Sequence, residues 1–186
     1  MQNRRGESLS EKKDVYAKAK GEMRLSERIL AAIPGFHGYK EKELRRESDK
    51  LIRNHLYLKL IGMKNDLRTV SQKLADRRWL DVLQDMDRLI AKVERVSQKV
   101  NHASYGYAGF FDVVKVKEEN LDRMIDFDNN LIEEVEGLTA DVDTFKAEVT
   151  KGEAKNSKDH IQSIVDKLDS FEETLDKRQE VILGVN

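Results

Sequence analysis

The chain has 186 residues, of which 37% are charged and 39% hydrophobic, and its formal net charge is −1. This length allows a sizeable core in one domain, and the composition is typical of long helices rather than of disorder. The absence of cysteine excludes disulfide frameworks, thiolate metal sites and cysteine nucleophiles. The sequence shows no signal-peptide pattern and no apolar run long enough to span a bilayer, so we expect a soluble, cytoplasmic protein.

The two halves of the chain carry opposite charge. Up to Lys117 there are 26 basic and 16 acidic residues, a balance of +10, and from Glu118 onward there are 8 basic and 19 acidic residues, a balance of −11. Basic and acidic helices packed side by side would neutralise each other, whereas separated ends would promote head-to-tail association of chains. We expect the first arrangement, because charged blocks more often form paired or solvated faces.

The N-terminal region is predicted to contribute little to the core. Residues 1–23 carry mixed charge and few apolar positions, so we expect a flexible or partly helical arm. The bundle is predicted to span residues 24–186 and to begin with a short helix at about 24–33. Pro34 and Gly35 follow this helix, and both residue types end helices.

The second and third helices are predicted from apolar residues that alternate in steps of four and three. The second helix is predicted at about 40–76 and the third at about 79–103. Their series are Leu56, Leu60, Met63, Leu67, Val70 and Leu74, followed by Trp79, Leu83, Met86, Ile90, Val93, Ser97 and Val100. The five-residue step from Leu74 to Trp79 fits neither series. We therefore predict a tight turn near Arg77 and Arg78, with one continuous helix as the alternative.

The fourth and fifth helices have the most regular pattern. They are predicted at about 109–151 and 157–183, with Gly152 and Gly184 as C-terminal stops. Their series are Leu121, Met124, Asp128, Leu131, Val135, Leu138, Val142, Phe145 and Val149, followed by Ile161, Ile164, Leu168, Phe171, Leu175, Arg178 and Ile182. Asp128 is a polar residue in an otherwise apolar ladder.

The helices predict an all-α fold, an elongated, staggered antiparallel helical bundle with coiled-coil-like heptad seams. Short turns place residues 33–39 and 105–111 toward the same end. Because the third helix is shorter than the second, residues 105–111 are expected beside the stretch from Leu51 to Tyr57. The fourth helix is expected to extend past Trp79 and to pair there only with the fifth.

Two glycine-aromatic segments, residues 33–39 and 105–111, interrupt the helices. They hold four of the ten glycines, the only proline and six of the twelve aromatic residues. Exposed aromatic rings bury much area on binding at low entropic cost. We therefore predict a partner-binding surface formed by Phe36, His37, Tyr39, Tyr105, Tyr107, Phe110 and Phe111. The alternative is that these rings seal the end of the bundle.

A basic stripe on the second helix offers a different kind of site. Its members share one helical face and are expected to face solvent: Lys42, Arg46, Lys50 and Arg53. Such a stripe could bind nucleic acid or an anionic membrane. Acidic residues are interleaved with it, however, and Asp49 with Arg53 forms an i,i+4 pair. We therefore expect this stripe to be a solvated helix face rather than a binding site.

Catalytic and metal-binding patterns are weak. His37, His55 and His102 could approach one another, but no helix carries the spacing of a helical metal site, and we expect no metal and no cofactor. Asp128 could take an Arg or Lys partner from the basic half, set helix register, or lie on an exposed stretch. No second group completes a catalytic dyad with it. Nucleotide-binding and nucleophile motifs are not found.

The two segments also carry a resemblance. Residues 33–43 with the basic residues that follow, and residues 105–112, resemble the blocks IPGFxGYKEKExRR and YGYxGFFD of a group of uncharacterised all-helical proteins of bacteria and archaea. The likeness extends over roughly residues 25–140, and only the two blocks are distinctive. It implies an all-helical fold, and it implies no activity and no functional residue.

The sequence therefore predicts a non-enzymatic helical interaction or scaffold protein. Its expected partner is another protein or a second copy of itself, bound through the glycine-aromatic segments. The alternative is a protein that binds nucleic acid or an anionic membrane through the basic stripe.

Overall fold

The protein is all-α. The computed structural model describes residues 27, 29–36, 42–103, 118–153 and 155–183, and for residues 42–46, 118–122 and 181–183 only the backbone. The four long helices are α1 (Lys42–Asp76), α2 (Leu83–His102), α3 (Glu118–Lys151) and α4 (Ser157–Leu183), and a 3₁₀ turn, Leu80–Val82, precedes α2. Residues 29–32 are also helical. This confirms the predicted all-α bundle, and among the described helices none is long and apolar enough to cross a membrane.

The long helices form two antiparallel hairpins that pack side by side. Lys64 of α1 pairs with Glu94 of α2, and Asp141 of α3 pairs with Lys167 of α4. Between the hairpins, α1 packs along α3 and α2 along α4. These neighbours run parallel, because Lys92 and Lys99 of α2 bind Asp169 and Asp176 of α4, two pairs with the same separation in sequence.

The predicted apolar series form the core of the bundle. Every member of the series on α1 is buried, and so are the members on α3 and α4 whose side chains are described. The prediction for α2 is correct only in part, because Trp79, Leu83 and Ile90 lie at the edge of the core. The buried face of α2 contains the predicted Met86, Val93, Ser97 and Val100 and also Leu89 and Val96, and Val82 of the preceding 3₁₀ turn is buried beside them.

The two hairpins share one pattern of buried positions. Core residues of the first hairpin recur 75 positions later in the second, as in Leu56 and Leu131, Leu60 and Val135, Met63 and Leu138, Leu67 and Val142, Val70 and Phe145, Met86 and Ile161, and Val93 and Leu168. Several polar residues and glycines also recur unchanged at this distance, among them Asn54 and Asn129, Gly62 and Gly137, Asp66 and Asp141, and Thr69 and Thr144.

The predicted tight turn between α1 and α2 is present. The N–H of Trp79 donates to the carbonyl of Leu74, and the N–H of Arg78 donates to that of Ala75, the hydrogen-bond pattern of a Schellman motif. Arg78 takes the left-handed conformation, with φ of 60°, where glycine is usual. The same pattern ends α3, where Gly152 has φ of 96°.

Both short turns lie at one end of the bundle, which we call the turn end. Arg77 donates from Nη1 to the carbonyl of Val149 and from Nη2 to that of Thr150, at 2.7 and 3.0 Å. It therefore caps α3, whose last carbonyls have no partner inside the helix. The expectation that this helix extends past Trp79 is wrong, because α1 and α3 end side by side.

The opposite end, which we call the segment end, is staggered. The pairing of Lys64 with Glu94 sets the register of α1 and α2, so that His102 at the end of α2 lies near the level of Leu56. Beyond this level Ile29, Ile33 and Phe36 join the core, and Gly35 lies close to Leu51.

The opposite charges of the two halves pair inside the bundle. Ion pairs between the hairpins join Lys92 to Asp169, Arg95 to Glu172, Lys99 to Asp176, and Asp66 to Lys146. The first hairpin supplies the cation in three of these four pairs, but the second hairpin supplies it to Asp81 and to Asp49. The expected neutralisation of basic by acidic helices is therefore partial. Exposed pairs of this kind contribute little stability individually, but they match the two hairpin surfaces.

The left-handed conformation of Arg78 predicts that Arg78→Gly stabilises the protein. Glycine adopts this conformation without the steric cost of a Cβ atom, and we expect a gain of about 1 kcal/mol in the free energy of unfolding. Urea denaturation measures it. Arg68→Gly, at an exposed position inside α1, is the matched control and should lose about 1 kcal/mol. Destabilisation by both variants would contradict the assigned turn geometry.

Candidate functional site

The described residues that flank the two glycine-aromatic segments lie at the segment end. The first segment precedes α1, which begins at Lys42, and the second lies between α2 and α3, which end and begin at His102 and Glu118. Since α1 and α3 run parallel and α2 runs opposite to both, the starts of α1 and α3 lie side by side. The end of α2 lies farther along the bundle, near the level of Leu56. The predicted proximity of the two segments concerns mostly residues outside the described ranges and stays a prediction. The side chains of His37, Tyr39, Tyr105, Tyr107, Phe110 and Phe111 lie outside the described residues.

Phe36 is the one predicted binding residue with a described side chain, and it is not available to a partner. Only 3% of its surface is exposed, and it packs in the core with Ile29 and Ile33. Gly35, with φ of 86°, makes the turn that brings it there. The assignment of Phe36 to an exposed binding surface is therefore wrong. The alternative, that rings of the first segment seal the bundle, holds for this residue.

A buried charge network lies beneath the segment end. Arg178 of α4, only 1% exposed, donates from Nε to Oδ1 of Asp128 on α3. Its Nη2 donates to Oδ1 of Asp49 on α1 at 2.8 Å. Arg53 donates from Nε to the other oxygen of Asp49, also at 2.8 Å. Two carboxylates and two guanidinium groups thus join three helices, and we call this set the Asp49–Arg178 network.

The network satisfies charges that would be costly alone. Moving an ion out of water costs several kcal/mol unless a partner and hydrogen bonds replace its hydration. The branched guanidinium of Arg178 reaches two carboxylates at once, which a lysine ammonium does with less fixed geometry. Its charge is balanced by α1 and α3 together, so the network holds α4 against both helices.

The partner of Asp128 differs from one of the expectations. One of the three possibilities was a cation from the basic half, whereas Arg178, which donates to Asp128, belongs to the acidic half. The expectation that Asp128 lies on an exposed stretch is also wrong, because the residue is fully buried. What remains is a polar contact at a seam position, which can set helix register.

The basic stripe is only partly exposed. Lys50 is exposed, while the side chain of Arg53 is 12% exposed and bound to the buried Asp49. Arg53 therefore does not face solvent as predicted, although its predicted pairing with Asp49 is present. The side chains of Lys42 and Arg46 lie outside the described residues.

The histidines have separate environments. Burial and the nearby Lys59 lower the pKa of His55, against an opposing effect of Glu136, and its Nε2 is buried without a hydrogen-bond partner among the described residues. His102 is exposed at the end of α2. His160 stacks on Phe145 and bonds to Glu148. Within the described ranges, no three His, Cys, Asp or Glu residues are placed to hold a metal ion.

Glu134 is a further perturbed carboxyl group, between α3 and α4. Burial raises its pKa, against the hydrogen bond from Thr174 and the charge of Lys177. Its Oε1 accepts from the Thr174 hydroxyl at 2.9 Å. It lies in a helix contact rather than a cleft, so the geometry assigns it a structural role.

Asp49 and Arg178 are the residues whose importance the sequence did not reveal. Arg178 stands at a seam position of the last helix, as Asp128 does on the preceding one, and opposite charges in two neighbouring seams are a signal that could have paired them. Asp49 offers no such signal, because its spacing to Arg53 is that of an ordinary surface pair.

No protein-family model matches the chain, and comparisons with curated proteins and with solved structures also gave no match. The resemblance to helical proteins of bacteria and archaea therefore stays a prediction. The functional interpretation rests on the geometry of the segment end.

Truncation of Arg178 should strongly destabilise the protein. Arg178→Met leaves the carboxylate of Asp128 buried without this cation, and we expect a loss of about 3–5 kcal/mol. The double variant Asp128→Leu with Arg178→Met removes both charges and should lose less, because Asp49 keeps Arg53. Urea denaturation measures both, and Lys177→Met on the exposed side of α4 is the control. A double variant less stable than Arg178→Met alone would contradict the pairing.

The environment of His55 predicts a loss of stability in mild acid. The pKa of His55 lies below 6.5 in the folded chain and returns to about 6.5 on unfolding. The stabilising contribution is therefore present above pH 6.5 and is lost as the pH falls through 6.5 toward the folded value. His55→Gln should flatten this part of the pH profile in urea denaturation. Equal slopes in wild type and His55→Gln would refute the prediction.

Proposed function

We propose that the protein is a non-enzymatic helical interaction protein that binds a protein partner, or a second copy of itself, through the segment end. The observation that carries this proposal is that the helix ends that flank both glycine-aromatic segments lie toward the same end of the bundle, with the end of α2 set back to the level of Leu56. Both segments, which are rich in aromatic residues, are therefore attached to the bundle toward one end.

The residues beneath the segment end support a binding role. Phe36, Asp49, Asp128 and Arg178 are buried, so the residues beneath the proposed surface are already packed in the absence of a partner. A preorganised base lowers the entropic cost of association. Leu30, 49% exposed, is a large apolar side chain just before the first segment, and it adds apolar surface there.

The composition of the segments supports a protein partner. Tyrosine and phenylalanine are typical anchor residues in protein interfaces, since each buries a large rigid surface. The two segments contain six such rings, and one of them, Phe36, is buried in the core. Tyr39, Tyr105, Tyr107, Phe110 and Phe111 are the aromatic residues left for the proposed surface.

The described part of the basic stripe gives less support to nucleic acid or an anionic membrane. Phosphate-binding surfaces need several cations that are not already neutralised. Arg53 is held by Asp49, and Lys50 is the one member of the stripe with a described, exposed side chain. We therefore favour a protein partner.

Replacement of two rings tests the proposal. Tyr107→Ala with Phe111→Ala should lower partner binding at least tenfold, or abolish self-association, while helicity and melting temperature stay nearly unchanged. Affinity capture identifies the partner, titration with the purified partner measures binding, and sedimentation measures self-association.

The control is Leu80→Ala, which removes an exposed apolar side chain at the turn end and should leave association unchanged. Unchanged association of the double variant would refute the proposed surface. Loss of helicity in that variant would refute it too, since the rings would then be part of the core.

A further inference from the structure

The outward side of α1 carries a second stripe of residues, separate from the buried one, which we call the outer stripe. Its members recur in steps of three and four, which is the spacing of a coiled-coil seam: Leu51, Asn54, Leu58, Ile61, Asn65 and Arg68. At 3.6 residues per turn, this stripe lies on the opposite side of the helix from the core residues Leu56, Leu60, Met63 and Leu67. The helix therefore has two seams, and the core of the bundle is built on one of them.

The outer stripe is uncharged over its first five members. Leu58 is 58% exposed, and Ile61 is partly exposed and does not belong to the core of the described helices. The charged side chains of Arg53 and Lys64 are turned to the flanks, where each is bound in an ion pair. A helix face that meets only water is usually rich in charge, in particular in a chain of which 37% is charged. An uncharged stripe with large apolar side chains is instead typical of a face that packs against another helix.

Four members of the outer stripe read the same in both directions. Asn54, Leu58, Ile61 and Asn65 form the series amide, apolar, apolar, amide with steps of four, three and four. Two antiparallel copies of α1 would therefore place Leu58 opposite Ile61 of the second copy, and Asn54 opposite Asn65. The centre of this series coincides with the middle of α1 (Lys42–Asp76), so the two helices would overlap over their whole length. A face that complements itself in this way is what a two-fold interface requires.

Charge and hydrogen bonding favour the antiparallel pairing over the parallel one. Parallel copies would place the Arg68 side chains of the two chains against each other, and like charges that meet in a seam repel. In antiparallel copies Arg68 meets Leu51 instead, since each lies three residues outside the symmetric series. The amide of asparagine carries both donors and an acceptor, so Asn54 and Asn65 of the two copies can bond to each other. Such a polar contact in an apolar seam also fixes the register.

We propose that α1 binds α1 of a second copy of the chain, in antiparallel orientation, through the outer stripe. Leu58 and Ile61 of both copies form the centre of this contact, and two asparagine pairs flank it. The contact is small and therefore weak, with an expected Kd on the order of 10–100 µM. The resulting dimer points its two segment ends in opposite directions. This dimer does not depend on the proposed function, but it would carry two copies of the proposed partner-binding surface.

Cross-linking tests the pairing, because the chain has no cysteine of its own. Full-length Asn54→Cys and Asn65→Cys proteins are mixed and oxidised, and we expect a disulfide-linked heterodimer in mass spectrometry. Asn54→Cys alone should form little, because its two copies would lie about 16 Å apart along the helix, whereas a disulfide needs Cα atoms within about 7 Å. A mixture of Asn54→Cys with Ala91→Cys, at an exposed position of α2, measures random collisions. A heterodimer yield no higher than in either control would overturn the proposal.

Sedimentation of the full-length protein between about 10 µM and 1 mM measures the strength of the contact. Leu58→Glu with Ile61→Glu should weaken the dimer at least tenfold and leave the melting temperature nearly unchanged, because neither residue belongs to the core. Leu80→Glu, at a similarly exposed leucine of the turn end, is the control and should not weaken it. A wild type that stays monomeric, or an unchanged dimer in the double variant, would overturn the proposal. Self-association through the segment end is measured in this double variant, so the two contacts are tested separately.

Discussion

The arrangement of the bundle depends on the two buried ion pairs that Arg178 makes, with Asp49 and with Asp128. Apolar seams alone permit neighbouring helices to slide by a heptad, because one apolar contact replaces another. A buried arginine that must meet both Asp49 and Asp128 does not permit this. Any shift of α4 would bury at least one charge without its partner, at a cost of several kcal/mol. The network thus selects one register among several that the core would accept.

This register also determines how the two ends of the molecule differ. With α4 fixed against α1 and α3, the hairpins lie side by side and their short turns meet at the turn end, where Arg77 caps α3. Because α2 is shorter than α1, the helices then end at different levels only at the segment end. There the core is completed by Ile29, Ile33 and Phe36 instead of by α2. One end is closed by backbone hydrogen bonds, and the other presents the attachment points of both glycine-aromatic segments.

Much of the fold could be predicted from the sequence, because helix formation and burial follow from spacing alone. The series on α1, α3 and α4 identified their buried faces, and the break after Leu74 identified a turn that no glycine or proline marks. The predictions were wrong where contacts with neighbouring helices determine which residues are buried. The buried face of α2 includes Leu89 and Val96 rather than Ile90, since a helix with apolar residues on two adjacent faces is oriented by its packing partners. The end of α3 beside α1 likewise depends on a contact between distant residues.

The sequence by itself determined the all-α class, the positions of the long helices and the opposite charges of the two halves, since each depends on composition or local spacing. The tertiary structure decided which charges are buried together. Asp49 and Arg53, which the sequence presents as an ordinary surface pair, belong to a buried charge network in the folded chain. Phe36 lies inside the bundle. These features depend on residues far apart in sequence, and only the packing of whole helices sets the distances between them.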